Sequence, residues 1–236
     1  MRFFWQGLQQ AWRLILDHDP YLWGLIDVTL RVTLVATVVA VAVGLPVGLA
    51  LGLGRFRGRG PLVVLANAGL GLPPVIVGVV LLVLTIRVGP LGWTGLAFTM
   101  RGVYVAQAIL ALPVVVALTV AAVREVAPGL AEQARAFGAR RHRVALLVLW
   151  ESRIGVLAAV IAAACASLSE VGAVAIIGGN TEWRTQTLAS AALAEVGAGR
   201  YASALAIGMV LLTLILVLTA PLTVLQYAGK RRVRAA

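Results

Sequence analysis

Five stretches of this 236-residue chain run for more than twenty residues with almost no charge, and nothing else in the sequence constrains its fold as strongly. They cover residues 30–53, 61–86, 102–123, 154–177 and 202–225. Crossing about 30 Å of hydrocarbon takes about 20 helical residues at a rise of 1.5 Å each, so every run is long enough to span a bilayer. The runs are continuous rather than alternating, which argues against a β-barrel. Composition agrees: 61% of residues are hydrophobic and 12% charged, whereas a soluble domain needs about 25% charged residues to cover its surface. Lipid is therefore the solvent for most of the chain. The expected architecture is an all-α polytopic membrane protein with five transmembrane helices inside residues 25–226.

Residues 1–24 read differently. Arg2, Gln6, Gln9, Gln10 and Arg13 are mixed among apolar positions, which is not the pattern of a cleavable signal peptide. Trp5, Leu8, Trp12 and Ile15 form an apolar stripe at helical spacing, and Asp17-His18-Asp19-Pro20 would end that helix. The tryptophans favour an amphipathic helix lying in the outer interface; a short extension of the first span is the alternative.

The 20 Lys and Arg outnumber nine Asp and Glu, and topology accounts for the excess without nucleic acid. Arg55, Arg57, Arg59, Arg124, Arg135, Arg140, Arg141, Arg143, Arg153, Lys230, Arg231, Arg232 and Arg234 fall on one side of the five spans. Arg2, Arg13, Arg87, Arg101, Arg184 and Arg200 fall on the other, with Arg31 near the outer end of the first span. Cationic loops stay in the cytoplasm, so the amino terminus is expected outside, with residues 227–236 as a basic cytoplasmic tail.

Several chemistries are missing from the sequence. With two His, one Cys and nine acids, no zinc cluster, disulfide framework or iron–sulfur site is expected. His18 and His142 lie outside the spans on opposite sides, which argues against serine–histidine hydrolysis. No Gly-x4-Gly-Lys-Ser/Thr loop is present to cradle a nucleotide, so ATP hydrolysis, if it drives the protein, belongs to a separate subunit.

The stretch 124–153, on the side richer in arginine, carries the most information. Good helix formers run from Leu130 to Phe137, Gly138 interrupts them, and a second helical piece follows. Two short helices at an angle would make an elbow suited to a soluble partner's groove. A basic loop held to anionic lipid through Arg140, Arg141 and Arg143 is the other reading.

Within that stretch Glu132-Gln133-Ala134, followed after three residues by Gly138 and after nine more by Val148, resembles the coupling loop of binding-protein-dependent ABC importer permeases. Trp150-Glu151 departs from the Leu-Pro pair expected at the end of that pattern. Glu151-Ser-Arg-Ile-Gly155, Gly71-Leu-Pro-Pro-Val-Ile-Val-Gly78, Gly89-Pro-Leu-Gly92, Ala106-Gln-Ala-Ile-Leu-Ala-Leu-Pro113, Ser169-Glu-Val-Gly-Ala173 and Gly178-Gly-Asn180 are similar to the tungstate branch, with molybdate and sulfate permeases as looser relatives. The resemblance covers residues 25–225. It implies the type I importer permease fold, a homodimer, an ABC ATPase subunit that binds ATP and Mg, an extracytoplasmic binding protein, and an oxyanion, tungstate first, as cargo. It implies ATPase coupling for Glu132, Gln133, Ala134, Gly138, Arg140, Arg141 and Val148, and no cofactor on this chain.

Other features bear on a pathway. Pro73-Pro74 must kink or break the second span, leaving carbonyls that membrane depth tolerates only against protein or water. That makes a gate candidate, or a kink that only shapes packing. Glu170 is the one acid well inside a span. Its charge would repel an oxyanion, so it is assigned a gating or structural role, bonded to broken-helix amides or to an arginine. Ser167 and Ser169 are better donors. Gly172 and Asn180 join them as pathway candidates. The 178–202 loop offers Asn180, Thr181, Arg184, Thr185, Gln186 and Thr187 as anion donors, or serves as the face for a binding protein. Arg87, Arg101, Arg184 and Arg200 are steering candidates, or interfacial anchors. Gly44, Gly48 and Gly52 form a stripe for close helix packing, and Cys165 is a small packing residue.

Overall fold

The computed structural model describes residues 5, 8–9, 12–13 and 15–234. Arg2, one of the outer cations, lies outside them. Among the described residues the chain is helical and without strands: α1 (Pro20–Leu53), α2 (Arg59–Gly69), α3 (Pro74–Thr85), a 3₁₀ turn at Gly92–Thr94, α4 (Met100–Ala136), α5 (Arg141–Glu151), α6 (Arg153–Ser169), α7 (Gly172–Gly178), α8 (Leu188–Gly197) and α9 (Tyr201–Arg234). Three helices are long and apolar enough to cross a membrane, and the pairs α2–α3 and α5–α6 raise the number to five if each is one span. Leu34, Leu65 and Leu216 are about two-thirds exposed, as lipid-facing side chains are. Trp5, Leu8 and Trp12 of the amino-terminal stripe are exposed as well.

Element bounds depart from the hydropathy reading in four places. α1 begins ten residues before its apolar run, because Asp19 Oδ1 accepts the Leu22 amide at 2.8 Å and Pro20 needs no donor in a first turn. The one acid and one base of this early stretch, Asp27 and Arg31, pair at 2.8 Å. The third span does not stop at 123: α4 continues to Ala136, so the first arm of the elbow is the end of a 37-residue helix, not a separate short one. The run 154–177 divides at Glu170–Val171, leaving α6 with 17 residues, about 25 Å of rise and short of a full span. Finally, α9 extends to Arg234, so residues 227–234 prolong a helix.

The chain forms two compact units. The first comprises residues 1–36, 73–108 and 165–218. Its core joins Leu22 and Leu25 of α1 to Leu188 and Ala191 of α8 and Ala206, Ile207 and Val210 of α9. The second comprises residues 37–72, 109–164 and 219–236. Here Ala40 meets Ala111, Val115 and Ala163, and Leu51 and Val63 meet Val116 and Val120. The glycine stripe explains how α1 and α4 approach. A Cβ at Gly48 would stand 2.6 Å from Thr119 Cβ, and one at Gly52 would stand 2.5 Å from Val123 Cγ1. Gly44 faces Val115 and Leu112 in the same way.

Candidate functional site

The elbow is built by a helix stop. At Gly138 the backbone turns left-handed, φ 79°, a conformation that costs a residue with a Cβ roughly 1–2 kcal/mol. The Gly138 amide reaches the Arg135 carbonyl at 2.9 Å and the Ala139 amide reaches Ala134 at 3.0 Å, the two bonds of a Schellman cap. Arg140 is extended, and α5 begins at Arg141. α5 folds back so that Val144 and Val148, both buried, pack with Val123 and Ala131 of α4. α5 then meets α6 at 72°.

Among the residues expected to couple an ATPase, Val148 and Ala134 therefore belong to the packing that holds the elbow, and Gly138 sets its turn. Glu132, Gln133, Arg140 and Arg141 are exposed. Glu132 accepts from Arg55 Nη2 at 2.7 Å, which ties the elbow to the segment after α1. Phe137, 91% exposed at the tip, escaped the sequence reading; its signal was a large apolar side chain directly before the stop glycine. Trp150, also exposed, carries the Arg153 guanidinium 4.9 Å above its ring.

In the first unit two helix starts meet. Pro73 is extended and Pro74 occupies the first turn of α3, with the Pro73 carbonyl accepting from Ile76 at 3.0 Å. α7 starts at Gly172 beside them. A Cβ on Gly172 would stand 2.6 Å from Val75 Cγ2, and one on Gly78 would stand 2.8 Å from Ala173 Cα, so glycines let α3 and α7 touch almost backbone to backbone. Glu170 sits just before this contact, and its Oε1 accepts the Ala173 amide at 3.0 Å. A carboxylate is favoured at a helix start, where amides are unsatisfied and the peptide dipoles leave partial positive charge.

The segment opening with Pro73-Pro74 and the segment Glu170–Gly172, far apart in sequence, are thus brought together where Gly172 meets Val75. Ser167 Oγ is buried with no hydrogen-bond partner among the described residues, while Ser169 donates back to the Cys165 carbonyl at 2.9 Å. Asn180 is not gathered there. It follows the other end of α7, about 10 Å away by helical rise, with φ 46° and a buried Oδ1 that finds no partner among the described residues.

The 178–202 loop spends most of its polar groups on itself. Thr185 Oγ1 donates to the Gly178 carbonyl at 2.7 Å and accepts the Thr181 amide at 3.0 Å. Gln186 accepts from the Tyr21 hydroxyl at 2.8 Å. Thr187 and Ser190 cap α8 reciprocally. Thr185, Gln186 and Thr187 are buried, which corrects their reading as anion donors; residue type alone could not distinguish a donor facing water from one bracing a loop. Arg87, Arg101, Arg184 and Arg200 are all exposed. Arg200 grips Glu195 with two bonds of 2.7 and 2.6 Å, so it meets a dissolved anion only in competition with that carboxylate. The hydrogen bond from Arg200 holds the Glu195 carboxyl below its ordinary range, against the opposing effect of burial.

Comparison with known proteins adds a family. The profile of binding-protein-dependent transport system inner membrane components matches residues 44–234. A probable anion ABC transporter permease protein of Haloferax volcanii is 39% identical over 68% of this chain and 72% of its own length. The tungstate uptake system permease protein TupB of Campylobacter jejuni is 32% identical over 89% and 88%. The molybdenum transport system permease protein ModB of Escherichia coli is 33% identical over 58% and 63%. Among solved structures, the MetNI methionine ABC transporter, in inward-facing conformations, shares the fold with a TM-score of 0.67 over 92% of this chain and 98% of that one, at 23% identity.

Proposed function

The chain belongs to the inner membrane components of binding-protein-dependent transport systems and is a multi-pass membrane permease; from that premise we propose that it is the permease of an ATP-driven oxyanion importer with tungstate as its cargo. The observation that carries the reading is the meeting of two interrupted apolar runs at Val75 and Gly172, with Glu170 in the break of the second. Backbone of this kind at membrane depth goes with a wet, protein-lined route rather than a passive anchor.

In this reading two copies of the chain form the conduit, the amino terminus is outside, and the elbow faces the cytoplasm. Glu132, Gln133, Gly138, Arg140 and Arg141 present the elbow to an ABC ATPase subunit, which holds ATP and Mg; this chain binds no cofactor. Phe137 supplies an aromatic anchor of the kind that dominates helix-in-groove contacts. Glu170 acts on the gate through the α7 start rather than on cargo, since a like charge repels an oxyanion. Arg87, Arg101 and Arg184 raise the local anion concentration outside, where a binding protein delivers its load. The tungstate assignment leans on relatives of that name at about 30% identity.

Uptake into vesicles that contain this chain, its ATPase and its binding protein tests the reading. ATP-dependent accumulation that needs all three and favours tungstate is the expected result. Preference for molybdate would replace the cargo. A stable complex with the ATPase that moves neither ion would point to a scaffold.

A further inference from the structure

The second unit contains a cationic cavity that the transport reading does not use. About 260 Å³ in volume, it lies between the end of α1 with the turn after it and the last turns of α4. Its lining residues include four arginines, Arg55, Arg59, Arg124 and Arg135, and a single acid, Glu132. Four like charges beside one carboxylate leave the lining net cationic, and water screens their mutual repulsion only in part.

Two of the four are already held in place. Arg59 donates through Nε to the Leu51 carbonyl at 2.6 Å and through Nη2 to Gly52 at 3.0 Å, capping α1. Arg55 is bonded to Glu132. A guanidinium fixed beforehand loses less freedom when it binds, and its planar fork matches the oxygens of a phosphate-type group. The cavity is several times the roughly 30 Å³ share of one water molecule, enough for a tetrahedral oxyanion and its bound water.

We infer that this cavity is an anion site, which takes a tetrahedral oxyanion and clamps the end of α1 to the first arm of the elbow. The group can arrive as a free ion or as the phosphate of an anionic lipid headgroup. Either would compete with Glu132 for Arg55, so the bound anion and the Arg55–Glu132 pair are alternatives. Binding here is independent of the importer assignment.

The test uses the full chain in maltoside micelles and phosphate-free buffer. Sodium tungstate, inorganic phosphate and dihexanoyl phosphatidylglycerol are titrated separately, with binding followed by calorimetry and by the rise in unfolding temperature. Saturable binding of at least one probe is expected. Arg124→Gln/Arg135→Gln should weaken it at least tenfold, and Glu132→Gln should strengthen it several-fold, a gain that misfolding cannot imitate. Response to the inorganic ions identifies a free ion as the source; response to phosphatidylglycerol alone identifies lipid. No saturable binding of any probe, or affinities unchanged in both variants, would overturn the inference. Because no transport is measured, its failure is separable from failure of the uptake assay.

Discussion

Arg55 and Glu132, 77 residues apart in sequence, are joined by a 2.7 Å hydrogen-bonded ion pair between the turn after α1 and the first arm of the elbow. Their side chains are 78% and 58% exposed, so water and salt screen the attraction. A pair in this setting is worth about 0.2–1 kcal/mol. A double-mutant cycle with Arg55→Gln and Glu132→Gln, read from unfolding in micelles, should give a coupling in that range that shrinks with added salt. A salt-insensitive coupling above about 2 kcal/mol would show that the pair is far less solvated than its exposure implies.

Gly138 offers a sharper perturbation. Proline fixes φ near −65°, which the left-handed turn at 79° cannot accept. Gly138→Pro should leave membrane insertion intact and abolish ATP-dependent uptake; normal uptake by the variant would remove the elbow from the coupling route. Gly138→Ala should cost about 1–2 kcal/mol and reduce uptake less.

Glu170→Gln keeps an oxygen that can accept the Ala173 amide, whereas Glu170→Ala leaves that amide without its acceptor. The alanine variant should lose about 1 kcal/mol more stability than the glutamine variant. Glu170→Gln should change the ratio of ATP hydrolysed to ion transported more than the tungstate-to-molybdate preference. A clean switch in ion preference would instead assign Glu170 to cargo contact.

Acid should release the Glu195–Arg200 pair. Because Arg200 lowers the folded carboxyl value below the ordinary 4.5, the pair stabilises the fold above that value, and the contribution is lost as pH falls through the lowered one. The unfolding midpoint of the native chain should therefore exceed that of Glu195→Gln by a constant margin from neutrality to about pH 5, and the two should converge in stronger acid. A margin that failed to narrow at all as acid was added would mean another group dominates.

Gly48→Leu should overpack the contact between α1 and α4 and destabilise the protein by about 1–3 kcal/mol, measured by thermal unfolding. The same change at Gly197, where a Cβ meets nothing within 4 Å, serves as the control.

Long-range physics was legible in the sequence, and local geometry much less so. Hydropathy located the membrane runs, because lipid selects for a property that sums over twenty residues. Pro73-Pro74 announced its break, since proline forbids a particular bond whatever surrounds it. Gly138 announced the elbow for a similar reason. The break at Glu170–Val171 carried no such residue; it depends on a side chain accepting an amide three positions on. The continuation of α4 into the elbow was equally hidden, because charged and apolar residues alike propagate a helix once it has started. Inward-turned Thr185 and Gln186 could not be recognised without their partners Gly178 and Tyr21.

The glycine stripe on α1 also has a genetic consequence. Every amino-acid change reachable from a glycine codon by one base substitution installs a Cβ: alanine, serine, cysteine, valine, aspartate, glutamate, arginine or tryptophan. At Gly48 and Gly52 that atom would arrive within 2.6 Å of Thr119 or Val123 on the facing helix. Each such change therefore demands a shift of the facing helix or a smaller residue on it. Replacement at these sites is coupled to what stands opposite on α4.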